Sequence, residues 1–66
     1  MPYTVKQARM LADKSQRDCA EALGVCEQTY RKIENNPEDA TIKQAMKLSM
    51  FLGIPYDDIS FVTDSN

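Results

Sequence analysis

The stretch QRDCAEALGVCEQTYRKIEN, residues 16–35, decides the fold. It contains two short helix-period patterns separated by Gly24, which directly follows Leu23, the last apolar residue of the first pattern. A glycine in that place favours the left-handed conformation that ends many helices. Ala20 lies where the two helices would touch, and a larger side chain there would push them apart. The sequence therefore predicts helices at about 16–23 and 27–35, joined by a tight turn.

The second helix of this pair has one apolar and one polar face. Tyr30 and Ile33 point toward the first helix, where Cys19, Leu23 and Val25 fill the space between the two. The outward residues all carry hydrogen-bonding side chains: Glu27, Gln28, Arg31, Lys32 and Asn35. A rigid helix with a polar outer face has the form that major-groove recognition of DNA requires. The alternative is an outer face that is merely solvated.

Length and composition restrict the class of protein. With 66 residues, 42% of them hydrophobic and 27% charged, the chain has room for one ordinary globular domain. No apolar run approaches the ~20 residues needed to span a bilayer. The N-terminal segment MPYTVKQ lacks a signal-peptide core, so we expect a cytoplasmic protein without membrane contact.

Residue types needed for metal binding or catalysis are scarce. There is no histidine, and the two cysteines, Cys19 and Cys26, are too few for a zinc site of the usual kind. Both thiols fit better as small side chains in an amphipathic pattern, although a redox-sensitive Cys26 stays open. No nucleophile–base pair or glycine-rich phosphate loop is present. We expect no metal, no cofactor and no enzymatic activity.

Helix-start signals appear three times along the chain. In each, Ser or Thr is followed three residues later by a side chain that can reach back in a capping box. The three are Thr4-x-x-Gln7, Ser15-x-x-Asp18 and Thr41-x-x-Gln44. They indicate helices at about 4–12, 16–23 and 42–52.

Apolar spacing predicts which side of each flanking helix is buried. Helix 1 would bury Val5, Ala8, Leu11 and Ala12, and helix 4 would bury Ile42, Ala45, Met46, Ser49 and Leu52. After Gly53 and Pro55, a short fifth helix would include Tyr56, Ile59 and Phe61. Asn36 would end helix 3 with a positive φ. No strand pattern is visible. We therefore predict an all-α domain over 1–62 and a flexible tail over 63–66.

Two charged residues interrupt the apolar stripes. Arg9 lies four residues after Val5, and Glu34 lies four after Tyr30, so both lean inward. A lone buried charge is costly, whereas opposite charges can pair. We predict an Arg9–Glu34 salt bridge that fixes helix 3 against helix 1. The alternative is that both side chains reach solvent independently.

Several motifs together resemble the Cro/repressor (XRE-type) helix-turn-helix family. They are Arg9, Gln16 at the start of helix 2, Ala20, Leu23-Gly24-Val25, Ile33-Glu34, Leu52-Gly53-Ile54 and Asp57-Asp58-Ile59. Their joint spacing is specific and covers about residues 4–61. The resemblance implies a compact five-helix lambda-repressor-like domain that binds double-stranded operator DNA and regulates transcription. A chain of this size would suit a Cro-like switch protein of a phage or mobile element.

The resemblance also implies roles for individual residues. Base edges would be read by Cys26, Glu27, Gln28 and Lys32. Phosphates would be contacted by Gln16, Arg17, Arg31 and Asn36. The chemistry of three base readers agrees, because Gln28 suits adenine, Lys32 suits guanine and Glu27 can accept from cytosine N4.

The charge balance keeps a second function open. The net charge is −2 and the pI is about 4.9, whereas DNA-binding domains usually carry a basic patch. Glu27, Glu38 and Asp39 occupy places where the family often has basic residues. Cys26 also replaces the usual Ser or Thr cap of helix 3. The alternative function is a protein-binding modulator that keeps the fold but acts on a partner regulator.

Family members bind paired half-sites as dimers, which implies a homodimer for this chain. The apolar residues left for such an interface are Met50, Tyr56, Phe61 and Val62. We expect weak association at the C-terminal end, completed on DNA. The alternative is an exposed methionine and a packed phenylalanine without a partner.

Overall fold

The computed structural model describes residues 2–61, within which the chain forms four α-helices. Their bounds are α1 (Val5–Leu11), α2 (Gln16–Leu23), α3 (Glu27–Asn35) and α4 (Ile42–Leu52). Single 3-10 turns follow α3 at Pro37–Asp39 and α4 at Tyr56–Asp58. Two short strands, β1 (Tyr3–Thr4) and β2 (Ile59–Ser60), pair in parallel, with Tyr3 opposite Ile59 and Thr4 opposite Ser60. The pairing joins the two ends of the described chain.

All three predicted capping boxes are confirmed. The hydroxyls of Thr4, Ser15 and Thr41 each accept from the backbone N–H three residues on, at 3.0 Å. The side chains of the residues at those third positions accept from the cap backbone in return, also at 3.0 Å. Each box satisfies two backbone donors that a helix start leaves without partners. The starts of α1, α2 and α4 are therefore fixed by local sequence.

Glycines end α2 and α4, as the sequence predicts. Gly24 and Gly53 have φ of +72° and +70°, the left-handed conformation that costs other residues strain. The expected positive φ at Asn36 is wrong, since its φ is −134°. The following Pro37 explains the difference, because it starts a 3-10 turn and restricts the residue before it to extended conformations. Among the described residues, the positive φ outside glycine belongs to Asp13, at 59°.

The core lies where the four helices meet the β2 strand. It consists of buried apolar side chains from the four helices, from β2 and from the residue after β2: Val5, Ala8, Cys19, Ala20, Leu23, Tyr30, Ile33, Ala45, Leu48, Leu52, Ile59 and Phe61. Ala12 and Val25 pack against this cluster while partly exposed. The predicted filling between α2 and α3 is thereby confirmed.

Three residues predicted to face inward are exposed. Leu11 is 61% exposed, because the buried stripe of α1 runs through Val5, Ala8 and Ala12 and leaves Leu11 beside it. On α4, Ile42 and Met46 are 75% and 52% exposed. The buried stripe of α4 consists of Ala45, Leu48, Ser49 and Leu52. The predicted stripe included all of these except Leu48. Apolar residues occur on several sides of α4, so the helical period is compatible with more than one buried stripe.

The predicted fifth helix is wrong, and so is the prediction that no strand occurs. Tyr56–Asp58 makes one 3-10 turn, after which Ile59 adopts an extended conformation and pairs with β1. Two-residue strands are too short to show the alternation by which a strand is found in a sequence. Pairing with β1 also places Ile59 in the core, at 4% exposure. The predicted tail at 63–66 lies outside the described residues.

Candidate nucleic-acid interface

The helix-turn-helix is built from α2, a three-residue turn and α3. Ala20 is 3% exposed at the contact between the helices, as its position predicts. The turn is closed by backbone hydrogen bonds from Gly24 N–H to the Glu21 carbonyl, at 3.1 Å, and from Val25 N–H to the Ala20 carbonyl, at 3.0 Å. These bonds satisfy carbonyls at the end of α2 and fix the direction in which α3 leaves the turn.

The start of α3 is capped weakly. Cys26 has the extended backbone of an N-cap residue, but its side chain makes no capping hydrogen bond. Its Sγ atom lies 3.1 Å from Thr29 Oγ1. The contact with the Thr29 hydroxyl lowers the pKa of this exposed thiol. Cys26 therefore lies at the edge of the predicted interface as a free, accessible thiol.

The outer face of α3 carries a row of three exposed polar residues. Gln28, Lys32 and Asn35 follow one another at intervals of four and three residues, so they form one row along the helix. Tyr30 and Ile33 point the opposite way and are 0% and 3% exposed. The predicted division into an apolar inner and a polar outer face is confirmed. Asn35, which the resemblance did not assign to DNA, belongs to this row through its spacing of seven from Gln28.

The predicted ion pair between α1 and α3 is confirmed. The Arg9 Nε atom donates to Glu34 Oε2, and the two side chains are only 13% and 4% exposed. The hydrogen bond to Glu34 raises the pKa of Arg9. Arg9 Nη1 also donates to the Lys14 carbonyl at 2.9 Å, which attaches the loop before α2. The pair thus holds α3 in position from the side opposite its outer face.

Gln16 and Arg31 continue this network to the surface. Gln16 Nε2 donates to Glu34 Oε1 at 3.1 Å, and Arg31 Nε donates to Gln16 Oε1 at 3.3 Å. Arg31 Nη2 donates to Glu27 Oε2 at 2.9 Å. The network brings together two predicted phosphate contacts and one predicted base reader. The Glu27–Arg31 pair, at the helical spacing of four, could have been anticipated from the sequence.

The other two predicted phosphate contacts lie at the ends of the helices. Arg17 belongs to the first turn of α2 and its side chain is 78% exposed, with its Nε atom 3.7 Å from Glu21 Oε2. At that exposure the pair with Glu21 holds the guanidinium only weakly. Asn36 is exposed directly after α3. Both side chains are therefore accessible to an external anion.

Acidic residues occur in the turn that follows α3 and also on α3 itself. Glu38 and Asp39 are exposed in the 3-10 turn that follows α3. On α3, the charge of Glu27 is offset by Arg31, and that of Glu34 by Arg9. Lys32 therefore supplies the uncompensated charge on the outer face of this helix. The acidic turn, rather than α3, carries the negative charge beside the interface.

Only some of the residues predicted for a dimer interface are exposed. Met50 is 81% exposed and Tyr56 is 41% exposed, but Phe61 is buried at 8%. The Tyr56 and Phe61 rings stack, with centroids 5.3 Å apart. Phe61 therefore belongs to the core and supplies little exposed surface, while Val62 lies outside the described residues. Ile42 and Met46, which were assigned to the core, join Met50 as an exposed row on α4.

The comparisons with known proteins agree with this geometry. The sequence model of a helix-turn-helix family matches residues 5–59. The chain is also similar to an uncharacterized HTH-type transcriptional regulator of Methanocaldococcus jannaschii, with 36% identity over 64 residues that cover 97% of each chain. No solved structure matches the chain. Among residues 2–61, no helix is long and apolar enough to cross a membrane.

Proposed function

This chain belongs to the helix-turn-helix family of the Cro/repressor type, and on that premise we propose that it is a sequence-specific, DNA-binding transcription regulator. The observation that carries the proposal is the exposed row of Gln28, Lys32 and Asn35 on a helix held from behind by a buried ion pair. A polar helix of fixed orientation can enter the major groove and present hydrogen-bonding groups to base edges.

Two side chains of the row, and Glu27 beside it, have chemically matched targets. The Gln28 amide can bind adenine at N6 and N7, and the Lys32 ammonium can donate to guanine at O6 and N7. Glu27 can accept from cytosine N4, and Cys26 lies beside it at the helix start. Gln16, Arg17 and Asn36 are assigned to the phosphates on either side, where they would fix the register of α3 on the duplex.

The test is the selection of bound sequences from a pool of random duplexes. The proposal predicts enrichment of a short motif, and a paired motif if two copies bind together. Enrichment of that motif must weaken sharply when the outer face is changed by the double substitution Gln28→Ala and Lys32→Ala. A pool that stays random with the unaltered protein would contradict sequence-specific binding.

A second function is favoured by the acidic turn after α3. Glu38 and Asp39 would approach the phosphate backbone in the usual docking arrangement, and like charges weaken such binding. The alternative is a modulator that has kept the fold and acts on a partner regulator protein rather than on DNA. This function predicts recovery of a second regulator with the protein and no enrichment of duplex sequences.

The exposed row on α4 supports a homodimer for the DNA-bound state. Ile42, Met46 and Met50 are spaced by four residues, with Met46 at the centre. Two such helices packed antiparallel about a two-fold axis at Met46 would bring Ile42 of each copy against Met50 of the other. Three side chains fall well short of the ~800 Å² per partner of a standard interface, so we expect weak association that DNA completes.

The dimer makes a prediction about Met46→Glu. A carboxylate at the centre of the row would face its counterpart across the two-fold axis, so binding to a paired site should lose cooperativity while binding to a single half-site is unchanged. Titration of duplexes with one and with two half-sites measures both. Met10→Glu is the matched control, because Met10 is 62% exposed on α1. Equal effects of the two substitutions would exclude this interface.

A further inference from the structure

Arg31 lies between two side chains that have different assigned roles. Its Nη2 donates to the carboxylate of Glu27 at 2.9 Å, and its Nε donates to the amide oxygen of Gln16 at 3.3 Å. Glu27 is assigned to a base edge and Gln16 to a phosphate. A guanidinium is a rigid plane of five N–H donors, so holding two of them fixes the direction of the whole group.

The Gln16 end of this contact is anchored in the protein. Gln16 Nε2 donates to Glu34 Oε1 at 3.1 Å, and Glu34 in turn binds Arg9. Because Glu34 can only accept a hydrogen bond, the amide must turn its nitrogen to Glu34 and its oxygen to Arg31. The buried ion pair thereby orients Gln16, and Gln16 orients Arg31.

The Glu27 end meets solvent. The Glu27 side chain is 41% exposed, and Arg31 is bound to its Oε2 atom. Within residues 2–61, Glu27 Oε1 accepts no hydrogen bond, so it is left for an outside donor. The amino group of cytosine N4 is the base donor that a carboxylate accepts from in the major groove. Without Arg31, the carboxylate would be free to rotate and would approach the phosphates uncompensated.

We propose that Arg31 is a positioning residue that sets base preference: it holds the Glu27 carboxylate toward a cytosine, and does not make the phosphate contact that the family resemblance implies. The proposal rests on the proposed function, since it assigns a role within the same interface. It needs Glu27 and Arg31 together, one helical turn apart.

A double-mutant cycle tests the proposal. Glu27→Gln, Arg31→Met and the double variant are titrated against duplexes that differ only at the base pair where Glu27→Gln changes the preference. We expect Glu27→Gln to reduce discrimination there by roughly tenfold. Arg31→Met should cause the same loss at the same base pair. In the Glu27→Gln background, Arg31→Met should cause no further loss, because no carboxylate is left to position.

The salt dependence of binding provides the second measurement. Arg17→Met is the matched comparison, because it also removes one arginine from an i,i+4 pair with a glutamate. Loss of a phosphate contact should reduce the slope of log affinity against log salt by about 0.9. We expect that reduction for Arg17→Met in the Glu27→Gln background, and no reduction for Arg31→Met there.

Three results would overturn the proposal. Arg31→Met could reduce discrimination equally with and without Glu27, could leave discrimination unchanged in both backgrounds, or could lower the salt slope as Arg17→Met does. Thermal unfolding of each variant distinguishes these results from misfolding. The Glu27 and Arg31 side chains are both exposed, so we expect unchanged melting temperatures for their variants. Failure of the proposed function is distinguishable, because the unaltered protein would then not bind duplex DNA at all.

Discussion

Glu34→Ala should destabilise the domain by about 3 kcal/mol, because it leaves Arg9 charged and largely buried without its partner. A domain of this length has a total stability of only a few kcal/mol. The substitution should therefore leave a large unfolded fraction at physiological temperature. Urea unfolding followed by circular dichroism measures the loss. Glu21→Ala is the matched control, since Glu21 is 71% exposed and contacts Arg17 only at 3.7 Å, and it should cost under about 1 kcal/mol.

A double-mutant cycle with Arg9→Met identifies the cause. If the charges act as a pair, the double variant should lose less stability than the sum of the single variants, because no uncompensated charge remains buried. The coupling should reach about 1 to 3 kcal/mol for groups in direct contact. Additive losses would show that Arg9 and Glu34 stabilise the protein independently, and that α3 is positioned by apolar packing alone.

Gln28→Ala combined with Lys32→Ala should strongly reduce sequence preference while leaving the fold intact. Each bidentate contact to a base contributes about 1 to 3 kcal/mol of discrimination, so losing both should reduce the ratio of specific to non-specific affinity by about 100-fold. Both side chains are exposed, and stability should change by less than about 0.5 kcal/mol. Competition binding with specific and scrambled duplexes measures the ratio.

Lys47→Ala is the control for that experiment, since it removes an exposed cation from α4 instead of α3. It should leave the ratio unchanged. An equal loss of affinity for every sequence with the α3 variant would show that this helix contacts the backbone only. An unchanged ratio would exclude the outer face of α3 as the reading surface.

The local signals in the sequence were sufficient for the helix-turn-helix. The capping box at Ser15 fixed the start of α2, the glycine after Leu23 fixed the turn, and small Ala20 allowed the close approach of α2 and α3. The Arg9–Glu34 pair was also predictable, because two inward charges of opposite sign leave few other stable arrangements. These features depend on residues within one or two helical turns of each other, or on the large free-energy cost of burying an unpaired charge.

The flanking elements depended on tertiary contacts that spacing does not reveal. On α4, Ile42 and Met46 fitted an inward stripe as well as Leu48 does, and only packing against the other helices buries Leu48. Ile59 became a strand residue because Tyr3 lies opposite to it. The network at Gln16 and Arg31 also joins residues 15 positions apart, so its geometry requires the folded chain.

The measurement that tests the central claim most directly is the affinity of the unaltered protein for duplex DNA across a salt series. If α3 docks in the major groove and Arg17 of each of two copies neutralises one phosphate, affinity should fall by about tenfold between about 50 and 200 mM salt. No binding to any duplex at the lowest salt, together with recovery of a second regulator bound to the protein, would contradict the account.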